Sequence, residues 1–247
     1  MNKKIFIMPM AGDGVRFKDK GYLKPKPLIN VGKSLMFIEA AKSFGLNQNW
    51  VFITRLNKNK KEIENIVKNK TKNSKIIYLK KKTKGQADTI FKAKKFIKYN
   101  SSNIYINSCD LFFEYDKREL NSKIKKYDLI VFINKPNKIN LNNTNKYGWI
   151  KILNGKVIKS SCKKKVSNIP NKDWIIIGSF VFKNRFVFNL ILTKLFKQNY
   201  KINNEFYLDT TIEIALKLGL KVGYIKVSKY KSWGTPKELN YFKNDSL

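Results

Sequence analysis

Histidine is absent from this 247-residue chain, and cysteine is nearly absent. The two cysteines, Cys109 and Cys162, do not form a Cys-x-x-Cys pair. A zinc site of the usual His/Cys composition and a His-based catalytic triad are therefore excluded. Any catalysis must use carboxylates, lysine, arginine, hydroxyl groups or a bound metal ion.

Long apolar runs are also missing. The chain contains no stretch of about 18 apolar residues, the length that a membrane-spanning helix needs. Pro9 and Gly12 interrupt the apolar start, which is unlike a cleaved signal peptide. We therefore predict a cytoplasmic protein with no membrane partner. At this length a single α/β domain would bury roughly 70–75% of its unfolded surface without a disulfide.

Acidic residues and arginines are few, whereas lysines are many. Lysine and arginine total 52 against 17 aspartates and glutamates, so the formal net charge is +35. Nucleic-acid-binding proteins rely on arginine for bidentate contacts, and no helix-turn-helix, zinc-finger or RNP pattern occurs. We therefore predict solvated lysine-rich faces and no nucleic-acid partner. The only arginines are Arg16, Arg55, Arg118 and Arg185.

Short apolar runs alternate with helical patterns through the first half, which indicates an α/β fold with a mostly parallel sheet. The predicted strands are Ile5–Met8, Val51–Thr54, Ile76–Leu79, Ile104–Asn107 and Leu129–Ile133. The predicted helices are Ser34–Phe44, Lys60–Lys68, Ala87–Lys98 and Lys117–Tyr127.

The second half begins with a hairpin pattern. Polar and apolar residues alternate on both sides of Asn154-Gly155, a dipeptide that favours the positive φ angles of a type I′ turn. The remaining predicted strands are Trp174–Phe182 and Val222–Val227, and the remaining predicted helices are Phe186–Phe196 and Glu205–Leu218.

The loop after the first strand, AGDGVRF, contains glycines but matches neither common nucleotide fingerprint. A dinucleotide site would need a third glycine where Phe17 stands, and a P-loop before Gly32-Lys33-Ser34 would need a glycine at Pro27. Gly12 and Gly14 would still let backbone amides approach anionic oxygens.

Arg16 and Lys26 follow this loop and supply fixed cations for a bound phosphate. An ordinary tight turn with solvated charges is the alternative interpretation.

Two further segments follow predicted strands, where ligands bind in open α/β sheets. In KTKGQADT, Gly85 leads into a helix, and Gln86 can both donate and accept hydrogen bonds, as base recognition requires. Asp110 ends the apolar run INSCD, and Mg²⁺ prefers a carboxylate together with phosphate oxygens. A glycine turn with an exposed Gln86, and an aspartate that caps the next turn, are the alternatives.

Together these segments resemble the sugar-phosphate nucleotidylyltransferase family, also called nucleoside-diphosphate-sugar pyrophosphorylases, in its capsule and surface-polysaccharide branch. The resemblance is collinear over nearly the whole chain. It rests on MAGDGVRF, GYLKPKPLINVGKSLMFIEA, KGQADT, NSCD, KYGWIKI, NNEFYLDTTIEIALKLG and WGTPKELNYF.

The resemblance implies a three-layer Rossmann-like nucleotidyltransferase fold, with a mixed, mostly parallel sheet between helices and a small β-hairpin insert. It implies one domain, 1–247, with a nucleotide-binding half at 1–135 and an acceptor-binding half at 136–247. The implied reaction moves the nucleotidyl group of an NTP, CTP or UTP, to a sugar 1-phosphate with Mg²⁺ and releases pyrophosphate for surface polysaccharide synthesis. A homo-oligomer is left open.

Two alternatives to this function remain. A nucleotide-sugar-dependent glycosyltransferase would normally carry an Asp-x-Asp motif, but Ser108 and Phe112 flank Asp110 at that spacing. A non-catalytic nucleotide-binding relative is supported only by Ser232, which stands where the family has a second metal-binding aspartate, and by the missing acidic residue near Cys162.

The resemblance also implies roles for individual residues. Arg16, Lys26 and Asp110 would be catalytic, and Asp110 would be the principal metal ligand. A second carboxylate supplied by Asp209 or Glu205 from the acceptor side is the alternative. The nucleotide would be bound by Met10, Ala11, Gly12, Asp13, Gly14, Thr83, Gly85, Gln86 and Ala87. The acceptor would be bound by Gly148, Asn204 and Glu205.

Overall fold

A computed structural model describes residues 4–56, 59–96 and 103–243. Its strands are β1 (Ile5–Pro9), β2 (Asn30–Val31), β3 (Ser34–Leu35), β4 (Trp50–Arg55), β5 (Lys75–Leu79), β6 (Ile104–Asn107), β7 (Leu111–Glu114), β8 (Leu129–Asn134), β9 (Gly148–Leu153), β10 (Lys156–Cys162), β11 (Trp174–Phe182), β12 (Val222–Lys226) and β13 (Lys229–Ser232). Its α-helices are α1 (Val15–Lys18), α2 (Met36–Lys42), α3 (Lys60–Lys70), α4 (Gln86–Ala93), α5 (Lys117–Lys126), α6 (Lys138–Leu141), α7 (Arg185–Lys197), α8 (Thr210–Lys217) and α9 (Pro236–Lys243).

The central sheet has the strand order β5-β4-β1-β6-β11-β8-β12. Its strands run parallel except β11, which is antiparallel to both β6 and β8. The β9–β10 hairpin adds to the first residues of β11, Trp174–Ile176. The mixed, mostly parallel sheet and the small hairpin confirm the predicted fold class.

Alternate residues of the sheet face two separate apolar cores. Ile7, Ile53 and Ile106 pack on one face with apolar residues of α4, α7 and α8. Phe6 and Phe52 pack on the other face with apolar residues of α2, α3 and α5. Strands that are covered on both faces have nearly continuous apolar sequences, as β4 and β6 do. The result is a three-layer arrangement.

The predicted strands agree with the structure to within a residue at most ends. The hairpin prediction is confirmed, since Asn154 and Gly155 have φ angles of 48° and 73° between β9 and β10. Helix α7 confirms the prediction near Phe186–Phe196. The short antiparallel pair β7–β13 was not predicted from the sequence.

Two helix starts were predicted wrongly. The helix predicted from Ser34 begins at Met36, because Ser34 and Leu35 pair with β2. The helix predicted from Glu205 begins at Thr210, because the chain first makes a turn at residues 203–204. Both turn residues have positive φ, and Glu205 pairs with Ile202.

The helix predicted at Ala87–Lys98 has a different end. It ends as an α-helix at Ala93 and continues as a 3₁₀ turn, Lys94–Phe96. The last two predicted residues, 97 and 98, lie outside the described residues.

The sheet brings three loops to one edge. Strands β1 and β6 are parallel neighbours, so residues 10–14 and 108–110 leave the sheet side by side. Strand β5 runs in the same direction and leads into residues 80–85. This edge is where ligands bind in open α/β sheets. Among the described helices, none is long and apolar enough to cross a bilayer.

Residues 84–87 are tied to the segment before α8 by two backbone hydrogen bonds. The Phe206 amide donates to the Lys84 carbonyl (2.8 Å), and the Ala87 amide donates to the Phe206 carbonyl (3.1 Å). Gly85 lies directly beneath this contact with a φ of 95°, and a Cβ there would lie 2.5 Å from the Phe206 carbonyl oxygen. The tether therefore requires glycine at this position.

We predict that Gly85→Ala lowers the free energy of unfolding by about 2–5 kcal/mol, because it combines backbone strain with overpacking. Gly219→Ala is the matched control, since Gly219 has a φ of 70° but no atom within 4 Å of an added Cβ. The control should lose only about 1–2 kcal/mol, the cost of the left-handed conformation. Urea unfolding of both variants measures the difference, and equal losses would contradict the close-contact interpretation.

Candidate active site

The loop of residues 10–14 turns sharply after β1. The Met10 amide still continues the β1–β4 pairing by donating to the Ile53 carbonyl (2.8 Å). Gly14 then adopts a φ of 62° at the start of α1, and a Cβ there would lie 3.0 Å from the Cβ of Lys26. Within the described chain, no acceptor receives a hydrogen bond from the amides of residues 11–14. Residues 11–14 line a cleft, and backbone amides left without acceptors in such a loop can bind an anion.

Lys26 lies against this loop and forms an ion pair with Asp110. The Lys26 Nζ is 2.5 Å from Asp110 Oδ2 and 3.3 Å from the Gly234 carbonyl oxygen. The Trp233 amide donates to the backbone carbonyl of Asp110 (2.7 Å). The N-terminal loop, the end of β6 and the segment before α9 therefore meet at one ion pair.

Asp13 places a negative charge within the same loop, but two cations neutralise it. Lys82 Nζ and Arg55 Nη2 each lie 2.5 Å from one of its carboxylate oxygens. The hydrogen bond from Lys82 lowers the pKa of Asp13, and the Arg55 charge adds to this effect. A phosphate bound to the loop amides would thus face a neutralised aspartate.

A cleft of about 410 Å³ lies beside the loop. Lys82, Lys163 and Tyr207 also line the cleft, although the sequence analysis did not predict them as site residues. Ala87, which was predicted to bind the nucleotide, is fully buried and does not line the cleft. The predicted residues that line the cleft are Met10, Ala11, Gly12, Asp13, Gly14, Arg16, Lys26, Thr83, Gly85, Gln86, Asp110 and Glu205.

A second, smaller cavity of about 150 Å³ adjoins the cleft. The two spaces share Arg16, Gln86, Asp110, Lys163, Tyr207 and Gly234 as wall residues. Gln86 lies at this junction, where its Nε2 donates to Ser108 Oγ (3.0 Å). Two adjoining cavities of this kind can hold two ligands next to each other.

The three residues that were predicted to bind the acceptor substrate lie in different places. Gly148 lines the small cavity, Glu205 lines the larger cleft, and Asn204 is exposed and lines neither space. A Cβ on Gly148 would lie 2.2 Å from Asp209 Oδ2, so glycine leaves room for that carboxylate.

Glu238 is a site residue that the sequence analysis missed. Its carboxylate accepts hydrogen bonds from the hydroxyls of Tyr147 (3.0 Å), Ser232 (3.2 Å) and Thr235 (3.0 Å). The sequence could have indicated this residue, because Thr235 and Glu238 have the Thr-x-x-Glu spacing of a capping box at a helix N-terminus. The Glu238 amide donates to Thr235 Oγ1 (3.2 Å), as half of that motif requires.

Asp110 fits a role as a magnesium ligand. No group of three or more acidic or cysteine side chains in residues 4–56, 59–96 and 103–243 could hold a metal by itself. Mg²⁺ typically takes one or two protein carboxylates and completes its shell with substrate phosphates and water. The Asp110 carboxylate borders both cavities, so it can serve as that single carboxylate.

A family model described as "Nucleotidyl transferase" matches residues 7–233. A search of curated proteins found no match.

Several solved structures share the fold. A nucleoside-diphosphate-sugar pyrophosphorylase from Vibrio cholerae RC9 is 19% identical, with a TM-score of 0.77 over 97% of this chain and 99% of that chain. A UDP-glucose pyrophosphorylase complexed with UDP-glucose is also 19% identical, with a TM-score of 0.74 over 99% and 98% of the two chains. The inositol-1-phosphate CTP transferase from T. maritima is 13% identical, with a TM-score of 0.69 over 100% and 98%.

The environment of Asp209 yields a stability prediction. Burial raises the pKa of Asp209 from 3.8 to about 6, and the nearby charge of Lys163 opposes this rise. The pKa of Asp209 is higher in the folded state than in the unfolded state. At a pH above the unfolded-state pKa, Asp209 therefore ionises more easily in the unfolded chain, and unfolding is favoured. The free energy of unfolding therefore falls as the pH rises from about 4 to about 6. Above that range the loss is complete and amounts to at most about 3 kcal/mol.

Asp209→Asn should therefore raise the free energy of unfolding at pH 8 by about 1–3 kcal/mol and have little effect at pH 4. Glu213→Gln is the control on the same helix, because Tyr200 and Lys217 donate hydrogen bonds to Glu213. This control should not stabilise the protein at pH 8. Urea unfolding at the two pH values tests both, and a destabilised Asp209→Asn at pH 8 would contradict the prediction.

Proposed function

Because the chain belongs to the nucleotidyl transferase family, we propose that it transfers the nucleotidyl group of an NTP to a phosphorylated acceptor and releases pyrophosphate. The observation that carries this proposal is the loop of residues 11–14. Its residues line a cleft that Arg16, Lys26 and Lys82 also border, and its amides donate to no acceptor within the described residues. Such a loop suits a triphosphate, and the adjoining small cavity suits a second substrate.

The finer assignments rest on the sequence resemblance. We propose CTP or UTP as the donor, a sugar 1-phosphate as the acceptor and a role in surface polysaccharide synthesis in the cytoplasm. The names of the structurally similar proteins combine a nucleotide with a sugar or with inositol 1-phosphate, which agrees with this proposal.

The two cavities also agree with the proposed halves of a single domain. Most walls of the larger cleft come from residues 9–17, 26–27, 82–83, 85–86, 89 and 109–110, within the proposed nucleotide-binding half, 1–135. The small cavity draws mainly on residues of the proposed acceptor half, 136–247, such as Gly148, Asp209 and Glu238.

The reaction asks little covalent chemistry of the protein. An oxygen of the acceptor phosphate attacks the α-phosphorus of the NTP, a new P–O bond forms, and the bond to the β-phosphate oxygen breaks. No general base is required, because the attacking oxygen is already anionic, so the absence of histidine is no obstacle. The protein must hold two anions together and neutralise the charge that develops.

Three side chains are placed for this task. Arg16 borders both cavities and can contact both phosphates. Lys26 is held beside the cleft by Asp110, so its ammonium group is positioned before substrate arrives. Asp110 would hold Mg²⁺, which when bound supplies further neutralisation of the phosphate charges.

Pyrophosphate release tests the proposal. The protein is incubated with each common NTP, Mg²⁺ and a panel of phosphorylated sugars and polyols. We expect release with at least one pair, and Lys26→Met should lower that turnover by roughly 10²–10³, the scale of one lost electrostatic contact. A glycosyltransferase or a non-catalytic relative would release none, and unchanged turnover in Lys26→Met would remove this residue from the site.

The proposed metal role predicts contrasting effects for two substitutions. Asp110→Asn should nearly abolish transfer while the fold remains intact, because it removes the carboxylate that fits the metal. Ser232→Ala should cost less than about tenfold, or about 1.4 kcal/mol, because its hydroxyl is one of three donors to Glu238. Activity measured against Mg²⁺ concentration, with circular dichroism for folding, checks both. Normal activity in Asp110→Asn would contradict the metal assignment.

A further inference from the structure

Asp209 differs from the other carboxylates of the small cavity. Asp110 is paired with Lys26, and Glu238 accepts three hydroxyl hydrogen bonds. By contrast, no side chain or amide of the described residues donates a hydrogen bond to the Asp209 carboxylate. Lys163, the cation that influences it, donates instead to the Lys146 carbonyl (2.5 Å).

Helix capping does not explain Asp209 either. It precedes the first residue of α8, where an aspartate usually accepts hydrogen bonds from the amides of the first turn. Its side chain makes no such bond, and its backbone is already helical, with φ and ψ of −56° and −33°. The carboxylate points instead into the notch over Gly148, at the wall of the small cavity.

A partly buried carboxylate without protein donors is less well solvated than an exposed one, because fewer water molecules reach it and no protein group replaces those that are lost. A ligand that brings hydroxyl donors into the cavity would restore the missing hydrogen bonds. An acidic ligand would instead bring a second negative charge close to the first, which is strongly unfavourable. The position therefore discriminates between neutral and acidic ligands.

The size of the cavity limits the size of the ligand body, by which we mean the part of the ligand other than its phosphate. A cavity of 150 Å³ in a protein core holds a benzene ring, and the cavity here has about the same volume. A ligand body of on the order of six to ten non-hydrogen atoms fits this space. Its phosphate can then lie at the junction with the larger cleft, beside Arg16 and Lys163.

We propose that Asp209 determines acceptor specificity: its carboxylate accepts hydrogen bonds from hydroxyls of a small, neutral, polyhydroxylated acceptor phosphate and excludes acceptors that carry a carboxylate. The proposal rests on the proposed function, because it assigns the small cavity to the acceptor. It gives Asp209 a binding role and leaves the metal to Asp110.

The test measures binding of two matched pairs of probes by isothermal titration calorimetry at pH 8. One pair is glucose 1-phosphate and glucuronate 1-phosphate, and the other is glycerol 3-phosphate and 3-phosphoglycerate. The members of each pair differ in whether the body carries a carboxylate. The wild-type protein should bind the neutral member of at least one pair on the order of 10²-fold more tightly.

Asp209→Asn should reduce that preference to less than about tenfold, because the amide no longer repels a carboxylate. Glu213→Gln, the control on the same helix, should keep the wild-type preference. An unchanged preference in Asp209→Asn, or no preference in the wild-type protein, would overturn the proposal. A misfolded variant cannot imitate the expected result, since unfolding curves of Asp209→Asn report its stability separately.

Two further measurements separate this proposal from its rivals. Mn²⁺ binding, followed by electron paramagnetic resonance without acceptor, should be the same in Asp209→Asn and wild type, and weakened binding would overturn the proposal in favour of a metal-ligand role. Selective binding of neutral probes without pyrophosphate release would refute the proposed function and leave only the ligand preference of the small cavity. Pyrophosphate release with neutral and acidic acceptors at equal efficiency would refute the specificity role alone.

Discussion

The parallel pairing of β1 with β6 is the constraint on which the site depends. Because the two strands run side by side in the same direction, the loop of residues 10–14 and the segment of residues 108–110 leave the sheet together. The Lys26–Asp110 ion pair then joins these two loops, and Trp233 and Gly234 add the segment before α9. A change in the register of β1 would separate all three parts.

The carboxylates around the two cavities show how the environment divides one chemical group among several roles. Asp13 is neutralised by two cations, Asp110 holds Lys26, and Glu238 is saturated by hydroxyl donors. Asp209 is partly buried and lacks such partners in the described structure, and burial raises its pKa. A carboxylate whose pKa is raised by burial costs stability when it is ionised, and such a cost is typical of groups that are retained for binding.

Local patterns predicted the regular elements well where one physical signal dominated. Doubly covered strands such as β4 and β6 appeared as apolar runs, and Asn154-Gly155 indicated the hairpin directly. The predictions were wrong where a nearby pairing competed with helix propensity. Ser34 and Leu35 form β3 and pair with β2, and Glu205 pairs with Ile202 across a turn, although both segments continue into helices.

The amino-acid sequence by itself determined the fold class, the glycine-rich loop after β1 and the family, because these depend on residue types at short spacings. The match to the nucleotidyl transferase model confirms the family. Only the tertiary structure decided which charges are neutralised and which remain available. Lys82, the partner of Asp13, and Tyr147, a partner of Glu238, come from distant parts of the chain, as does Gly148, which leaves room for Asp209. Electrostatics and burial act through space, so contacts between residues far apart in sequence cannot be read from local patterns.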